Sequence, residues 1–262
     1  MVHKSISPSA LLKPYIKQYH VVETNETYDF APGIRIYPYG TITLVFHFGK
    51  PSLFEKKGEK PYVEPRTVIC GQQTSHYDLS LAGNTGMILV VFKPHGAGVF
   101  FKTPLSELIN DNIPLNEVVG NNIGKVEDCI QVVKNNNDRI AIVENFLLNK
   151  LFENYTEPSQ IEHALRIIED TGGQVKVKDL AVESCLSTKQ FERKFTRFVG
   201  VAPKKYISIY KFQNVLRMYR KNPDTNLYNL AYSNGYYDQS HFIHDFKSIT
   251  DLIPKDFFRD FP

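Results

Sequence analysis

The sequence predicts an α+β protein of two domains, a β-rich half followed by an all-helical half, and three observations carry that prediction. The 262 residues exceed the ~100–200 of one ordinary domain. Apolar residues recur at period two between Gly33 and Gly96 and at helical steps afterwards. Charge is also divided unevenly: the chain carries 31 Lys+Arg against 28 Asp+Glu, a formal +3, yet residues 158–262 hold 16 basic and 12 acidic side chains. Residues 1–157 hold 15 and 16. With 42% hydrophobic and 23% charged residues and 15 each of Gly and Pro, the composition excludes disordered, collagen-like and low-complexity classes.

In chain order, the stretch 41–48 places Ile42, Leu44, Phe46 and Phe48 on one face at period two and predicts a half-buried strand. Further strands are expected over 66–71, 75–81 and 87–93, separated by turn residues such as Gly83-Asn84 and Pro94-His95-Gly96. Short strands at this spacing predict a small barrel or sandwich. The apolar run 87–92 is far below the ~20 residues that cross a bilayer, and the N-terminus has no apolar signal core, so a cytoplasmic protein without membrane contact is expected. Cys70, Cys129 and Cys185 are odd in number and have no C-x-x-C spacing, which predicts buried, inert thiols.

Beyond Gly96 the period turns helical. Ile140, Val143, Leu147 and Leu151 form an apolar stripe over 138–153, continuing Ile130 and Val133; packing on the β domain is the default, a dimer seam the alternative. Pro158 interrupts the pattern, and the domains are set at 1–157 and 158–262.

The second domain concentrates its charge. Between Ser187 and Lys221 lie ten basic residues and one acid, Glu192, an electrostatic footprint for a polyanion. Here 177–184 reads as a short helix, Cys185-Leu186 as a turn, and Ser187-x-x-Gln190 as a capping box opening a helix with Phe191, Phe195 and Phe198 inward. Its outer face shows Lys189, Glu192, Arg193, Thr196 and Arg197, which is the helix-turn-helix plan. The pattern recurs over 226–232, 233–236 and 238–247, with Leu230-Ala231 answering Leu180-Ala181 and Phe242 and Phe246 answering Phe191 and Phe195. Between them a helix over 203–221 would span roughly 25–30 Å, enough to set two reading helices near one ~34 Å turn of DNA apart.

Leu180-Ala181, Leu186-Ser187, Phe191-x-Arg193-x-Phe195 and Gly200-x-x-Pro203-x-x-Tyr206, then Asn234-Gly235-Tyr236-x-Asp238-Gln239-Ser240-His241-Phe242, Phe246-Lys247, Pro254 and Phe257, closely resemble the AraC/XylS family of bacterial transcription regulators. The resemblance covers about 158–262. It implies a sequence-specific regulator that reads successive major grooves with helices 188–198 and 239–248, using Lys189, Glu192, Arg193, Thr196 and Arg197 in the first and Gln239, Ser240, His244 and Lys247 in the second. It also implies double-stranded DNA as partner, with RNA polymerase, a small-molecule effector and a second copy of the chain as further partners. Three departures stand out: Asp251 replaces a customary Gly, Ile243-His244 replaces a common Ser-Arg, and Tyr236 replaces Phe. With few bases in the second motif, the first is expected to dominate affinity and the second to read weakly or through DNA shape.

The first domain is similar to the cupin-like sensor regions that precede such domains, through residues 35–40, Gly71-Gln72-Gln73-Thr74 and 92–97. Its ligand candidates are Arg35, Tyr37, His47 and His95, each weighed against a purely structural role. A metal-dependent cupin enzyme fused to a DNA-binding domain is the alternative, as is a non-sensing architectural binder. The β region has no H-x-H, and H-E-x-x-H, G-x-S-x-G and G-x-G-x-x-G are missing, so neither catalysis nor a cofactor is expected.

Overall fold

A computed structural model describes residues 2–26, 29–31 and 33–259. Among these residues the strands are β1 (Val2–Ile6), β2 (Ile16–Glu23), β3 (Ile34–Ile36), β4 (Thr43–His47), β5 (Leu53–Glu55), β6 (Tyr62–Val63), β7 (Thr67–Cys70), β8 (Tyr77–Ser80), β9 (Gly86–Phe92) and β10 (Asn112–Pro114). They form two antiparallel sheets, ordered β1-β2-β9-β4-β7-β10 and β3-β8-β5-β6. The β texture therefore begins well before Gly33. β1 is an edge strand whose residues are mostly exposed, and β2 carries a bulge between Ile16 and Gln18; both erase the alternation that would have revealed them.

β4 departs from the half-buried expectation. Leu44 and Phe46 face the main core, where Phe46 meets Phe146 edge-on with centroids 6.2 Å apart. Val45, on the opposite face, packs with Val68, Leu81 and Met87 toward the second sheet. A central strand between a helix layer and a second sheet has no solvent face, so alternation in side-chain size replaces alternation in polarity.

Three helices follow: α1 (Leu115–Val119), α2 (Ile123–Val132) and α3 (Asn136–Asn154). Asn135 Oδ1 caps α3 by accepting from Asp138 N at 2.9 Å. Ile130 thus belongs to a helix of its own, tied to α3 by the buried Arg139, whose Nε donates to Ile130 O at 3.2 Å and whose guanidinium lies 3.9 Å from the Phe48 ring centroid. α3 lays Val143, Phe146 and Leu147 on the large sheet.

The rest is helical: α4 (Ser159–Asp170), α5 (Val177–Glu183), α6 (Thr188–Val199), α7 (Pro203–Lys221), α8 (Leu227–Ser233), α9 (Gln239–Thr250) and α10 (Pro254–Arg259). Packing does not break at Pro158. One hydrophobic cluster runs from Leu12 through the large sheet and α3 into α4, α5, α6 and the start of α7, ending at Ile207. A separate cluster from Phe212 to Phe258 holds the end of α7 with α8, α9 and α10. Of the cysteines, Cys129 and Cys185 are exposed, contrary to expectation, because one sits on the outer side of α2 and the other in a tight turn at φ +54°. No helix among the described residues is long and apolar enough to cross a membrane.

Candidate nucleic-acid interface and cavity

The first helix-turn-helix unit is α5, a turn and α6. Leu186 N donates to Ala181 O at 2.9 Å across the turn. The capping box then forms: Ser187 Oγ accepts from Gln190 N at 3.3 Å while Gln190 Oε1 accepts from Ser187 N at 3.1 Å. Phe191, Phe195 and Phe198 are fully buried, each ring worth roughly 1.5–3 kcal/mol. This fixes the opposite face outward, where Lys189, Glu192, Arg193 and Arg197 are exposed and Thr196 is half-buried. Gly200, at φ +92°, ends the helix.

The second unit repeats the geometry. Tyr236 N donates to Ala231 O at 3.2 Å, the same bond at the same place in the turn. Asp238 Oδ1 caps α9 by accepting from His241 N at 2.7 Å. Gln239, Ser240, His244 and Lys247 are all exposed. At the C-terminal end Asp251 takes the left-handed conformation at φ +61° that glycine would adopt without strain.

The basic stretch 187–221 does not project from one surface. Lys194 donates to Gln160 Oε1 at 2.6 Å, and Lys211 donates to Gly235 O at 3.0 Å beneath the Tyr236 ring. Burial pulls the Lys205 and Lys211 ammonium groups down from their ordinary range, with Asp245 opposing. Arg193 and Arg197 of α6, with Lys194, line a cleft of about 540 Å³ beside Thr156 and Gln160, and Lys247 is exposed on α9.

Both α6 and α9 end on the first domain. Gly98 lies under α6 so closely that a Cβ there would stand 2.8 Å from Phe198 Cδ1 and 2.9 Å from its Cα. The end of α9 is held by Ile249 O, which accepts from His76 N at 3.0 Å, and by Lys57 Nζ, which donates to Asp251 at 2.6 Å. That hydrogen bond holds the Asp251 carboxyl below the usual carboxylate range. Sequence reasoning missed Gly98, Lys57 and His76, since nothing local marks a residue that acts on a helix a hundred or more positions away.

Between the sheets lies a cavity of about 420 Å³. Of the four ligand candidates, Tyr37 lines it. Arg35 instead forms a two-point pair with Asp78 (2.9 and 3.0 Å) and lines a second, polar cavity of about 350 Å³ between the domains, with Lys57, His76 and Asp251. His47 sits behind the wall of the first cavity, bonded to Glu64. His95 is buried near the Tyr15 ring, its Nε2 without a hydrogen-bond partner among the described residues, and burial pulls its imidazole down. Among the described residues no three His, Cys, Asp or Glu side chains converge as a metal site would require.

The segment 36–41 has two faces. Ile36, Tyr37, Pro38, Tyr39 and Thr41 line the cavity. The Tyr37 ring also packs on Phe212 and Phe257 at centroid distances of 6.0 and 5.2 Å, and Pro38 O accepts from Gln213 Nε2 at 2.6 Å. The segment is therefore shared between the cavity and the core of the second helix-turn-helix unit.

Residues 4–114 match a domain of unknown function (DUF6597), and residues 180–260 match a helix-turn-helix domain. No curated protein matches the chain. Among solved structures, ToxT from Vibrio cholerae is similar over 99% of this chain and 98% of its own, at 10% identity and a TM-score of 0.46. Wild-type ToxT from Vibrio cholerae strain SCE256 with bound unsaturated fatty acid covers 92% of this chain and 93% of its own, at 15% identity and 0.42. The AraC-like transcriptional activator CuxR covers 84% and 87%, at 14% identity and 0.26.

Proposed function

We propose that the protein is a DNA-binding transcription regulator of AraC type, its residues 180–260 matching a helix-turn-helix domain, and that the cavity of its first domain takes a small-molecule effector that adjusts the second helix-turn-helix unit. One observation carries this reading: the 36–41 segment forms cavity wall on one side and packs with Tyr37 into the second unit's core on the other. A ligand that moves Tyr37 changes contacts in both places, and a ligand shifts an equilibrium only through such differential contacts.

On DNA, Lys189, Glu192, Arg193, Thr196 and Arg197 of α6 would supply most of the affinity. An Arg on this face can bond guanine at two points, and the flanking cations meet phosphate. Gln239, Ser240, His244 and Lys247 of α9 would add a weaker contact in the next major groove. The setting is the cytoplasm, with RNA polymerase as a further partner. A second copy of the chain is a further partner.

Selecting DNA from a random pool with the full chain should recover one motif with two parts. Equal binding to all sequences would overturn the reading of a specific regulator. On the recovered site, Val91→Phe, which fills the cavity from β9, should change affinity at least threefold. No change would overturn the effector reading.

A further inference from the structure

The cavity between the sheets is chemically lopsided. Its walls are mostly apolar, from Ile36, Val45, Leu79, Met87, Leu89 and Val91, yet one carboxylate is set into them: Glu64, 5% exposed. A carboxylate so buried persists only when hydrogen-bonded. Two donors behind the wall hold it, Asn112 Nδ2 to Oε1 at 2.8 Å and His47 Nε2 to Oε2 at 3.2 Å. His47 Nδ1 has no hydrogen-bond partner among the described residues. Each carboxylate oxygen accepts about two hydrogen bonds, so Glu64 keeps acceptor capacity, and it lines the cavity.

Cys70 and Tyr77, which also line the cavity, bring no positive charge. Burial pushes the Cys70 thiol and the Tyr77 phenol well up, and the Glu64 charge adds to both, so these walls stay protonated. Lys17 is exposed at the rim and is the only Lys or Arg among the described lining residues. His20, also at the rim, is pulled down by burial, His3 and Lys17. A carboxylic acid entering head-first would bring like charge onto Glu64. An ammonium would form a charge-assisted hydrogen bond in a low-dielectric site, stronger than that of a neutral hydroxyl.

We infer that this cavity takes a small, mostly apolar or aromatic molecule ending in a primary amine, its ammonium on Glu64 and its body between the two sheets. The volume of about 420 Å³ suits a ligand of that size. This rests on the reading of the cavity as an effector site and adds the ligand's chemistry.

Full-length protein is to be titrated with four matched probes: phenethylamine, its N-acetyl derivative, phenethyl alcohol and 3-phenylpropanoate, read by calorimetry and thermal shift. The amine should bind at least tenfold tighter than the alcohol and the amide, and the acid not measurably. In Glu64→Gln the amine should fall at least tenfold, to the level of the alcohol. Tightest binding by the acid, equal binding of amine and N-acetyl amide, or no binding by any probe would each overturn the inference. If Glu64→Gln does not fold, the ligand series decides alone. Failures separate as well: an acid that binds and shifts operator affinity removes the amine and leaves the effector reading. An amine that binds without shifting operator affinity does the reverse.

Discussion

Replacing Gly98 by alanine tests whether α6 is truly seated on the first domain. A Cβ at Gly98 would stand 2.8 Å from Phe198 Cδ1, 2.9 Å from Phe198 Cα and 3.2 Å from Phe198 O. Ordinary van der Waals contact begins near 3.4 Å. Two of these three atoms are backbone of a buried helix, so no side-chain rotation relieves the overlap; α6 or the turn beneath it must shift by about half an ångström. Such overpacking costs roughly 1–3 kcal/mol, against a gain of up to about 1 kcal/mol from a less flexible unfolded chain. The net loss of ~1–2 kcal/mol lowers Tm by roughly 2–8 °C in a chain of this size. Gly124→Ala, in α2, is the matched control, because a Cβ there meets nothing within 4 Å. It should leave Tm unchanged or raise it. Differential scanning calorimetry on the two full-length variants is the assay, with amide exchange locating the loss in α6. If Gly98→Ala is as stable as Gly124→Ala, the tight seating of α6 is refuted.

Three further outcomes are expected. Asp251→Gly removes left-handed strain of about 1 kcal/mol and an exposed ion pair worth ~0–1 kcal/mol, so Tm should hold or rise; Lys57→Met should cost a little in wild type and nothing in the Asp251→Gly background. A Lys57 effect that persists in that background would show that the pair is not its origin. His95, held below its ordinary imidazole value by burial, loses stability on acidification: below about pH 6.5 the unfolded chain takes up a proton that the folded form accepts only at lower pH. His95→Gln should therefore flatten the fall of Tm between pH 7 and 5 without abolishing it, since His20 shifts the same way; an unchanged slope argues against burial as the cause. On the selected operator, Arg193→Ala should weaken binding about tenfold or more and His244→Ala less than threefold, measured by fluorescence anisotropy at fixed salt. The reverse order would show that α9 dominates.

What was legible in the sequence was what local chemistry decides. Ser187 and Gln190 cap each other over three residues, Pro203 and Asn222 bracket α7, and the phenylalanines of α6 and α9 recur at helical steps, so the helices and their outward faces follow from neighbours in the chain. Less legible was whatever depends on distant partners. The bulge at Ile16/Gln18 shifts β2 by one residue and hides it from any period-two search. The cavity exists only because two sheets face each other, so Glu64 reads in sequence as an ordinary surface acid. Charge counting was the weakest guide, since Lys194 and Lys211 are consumed by internal hydrogen bonds that no tally of basic residues foresees.

The change of core within α7 has a mechanical consequence. Tyr206 and Ile207 are anchored with the first unit, Phe212, Val215 and Leu216 with the second, and one unbroken helix joins them. The angular phase between the two helix-turn-helix units across α7 is then set by a count of residues. Each residue added between Ile207 and Phe212 would turn the second unit about 100° around the helix axis and advance it about 1.5 Å, whereas seven would return it almost to phase, some 10 Å further along. If both units contact DNA, the spacing between their contacts is set in steps by α7: point substitutions would tune how tightly each is held, and insertions or deletions in α7 would move one relative to the other.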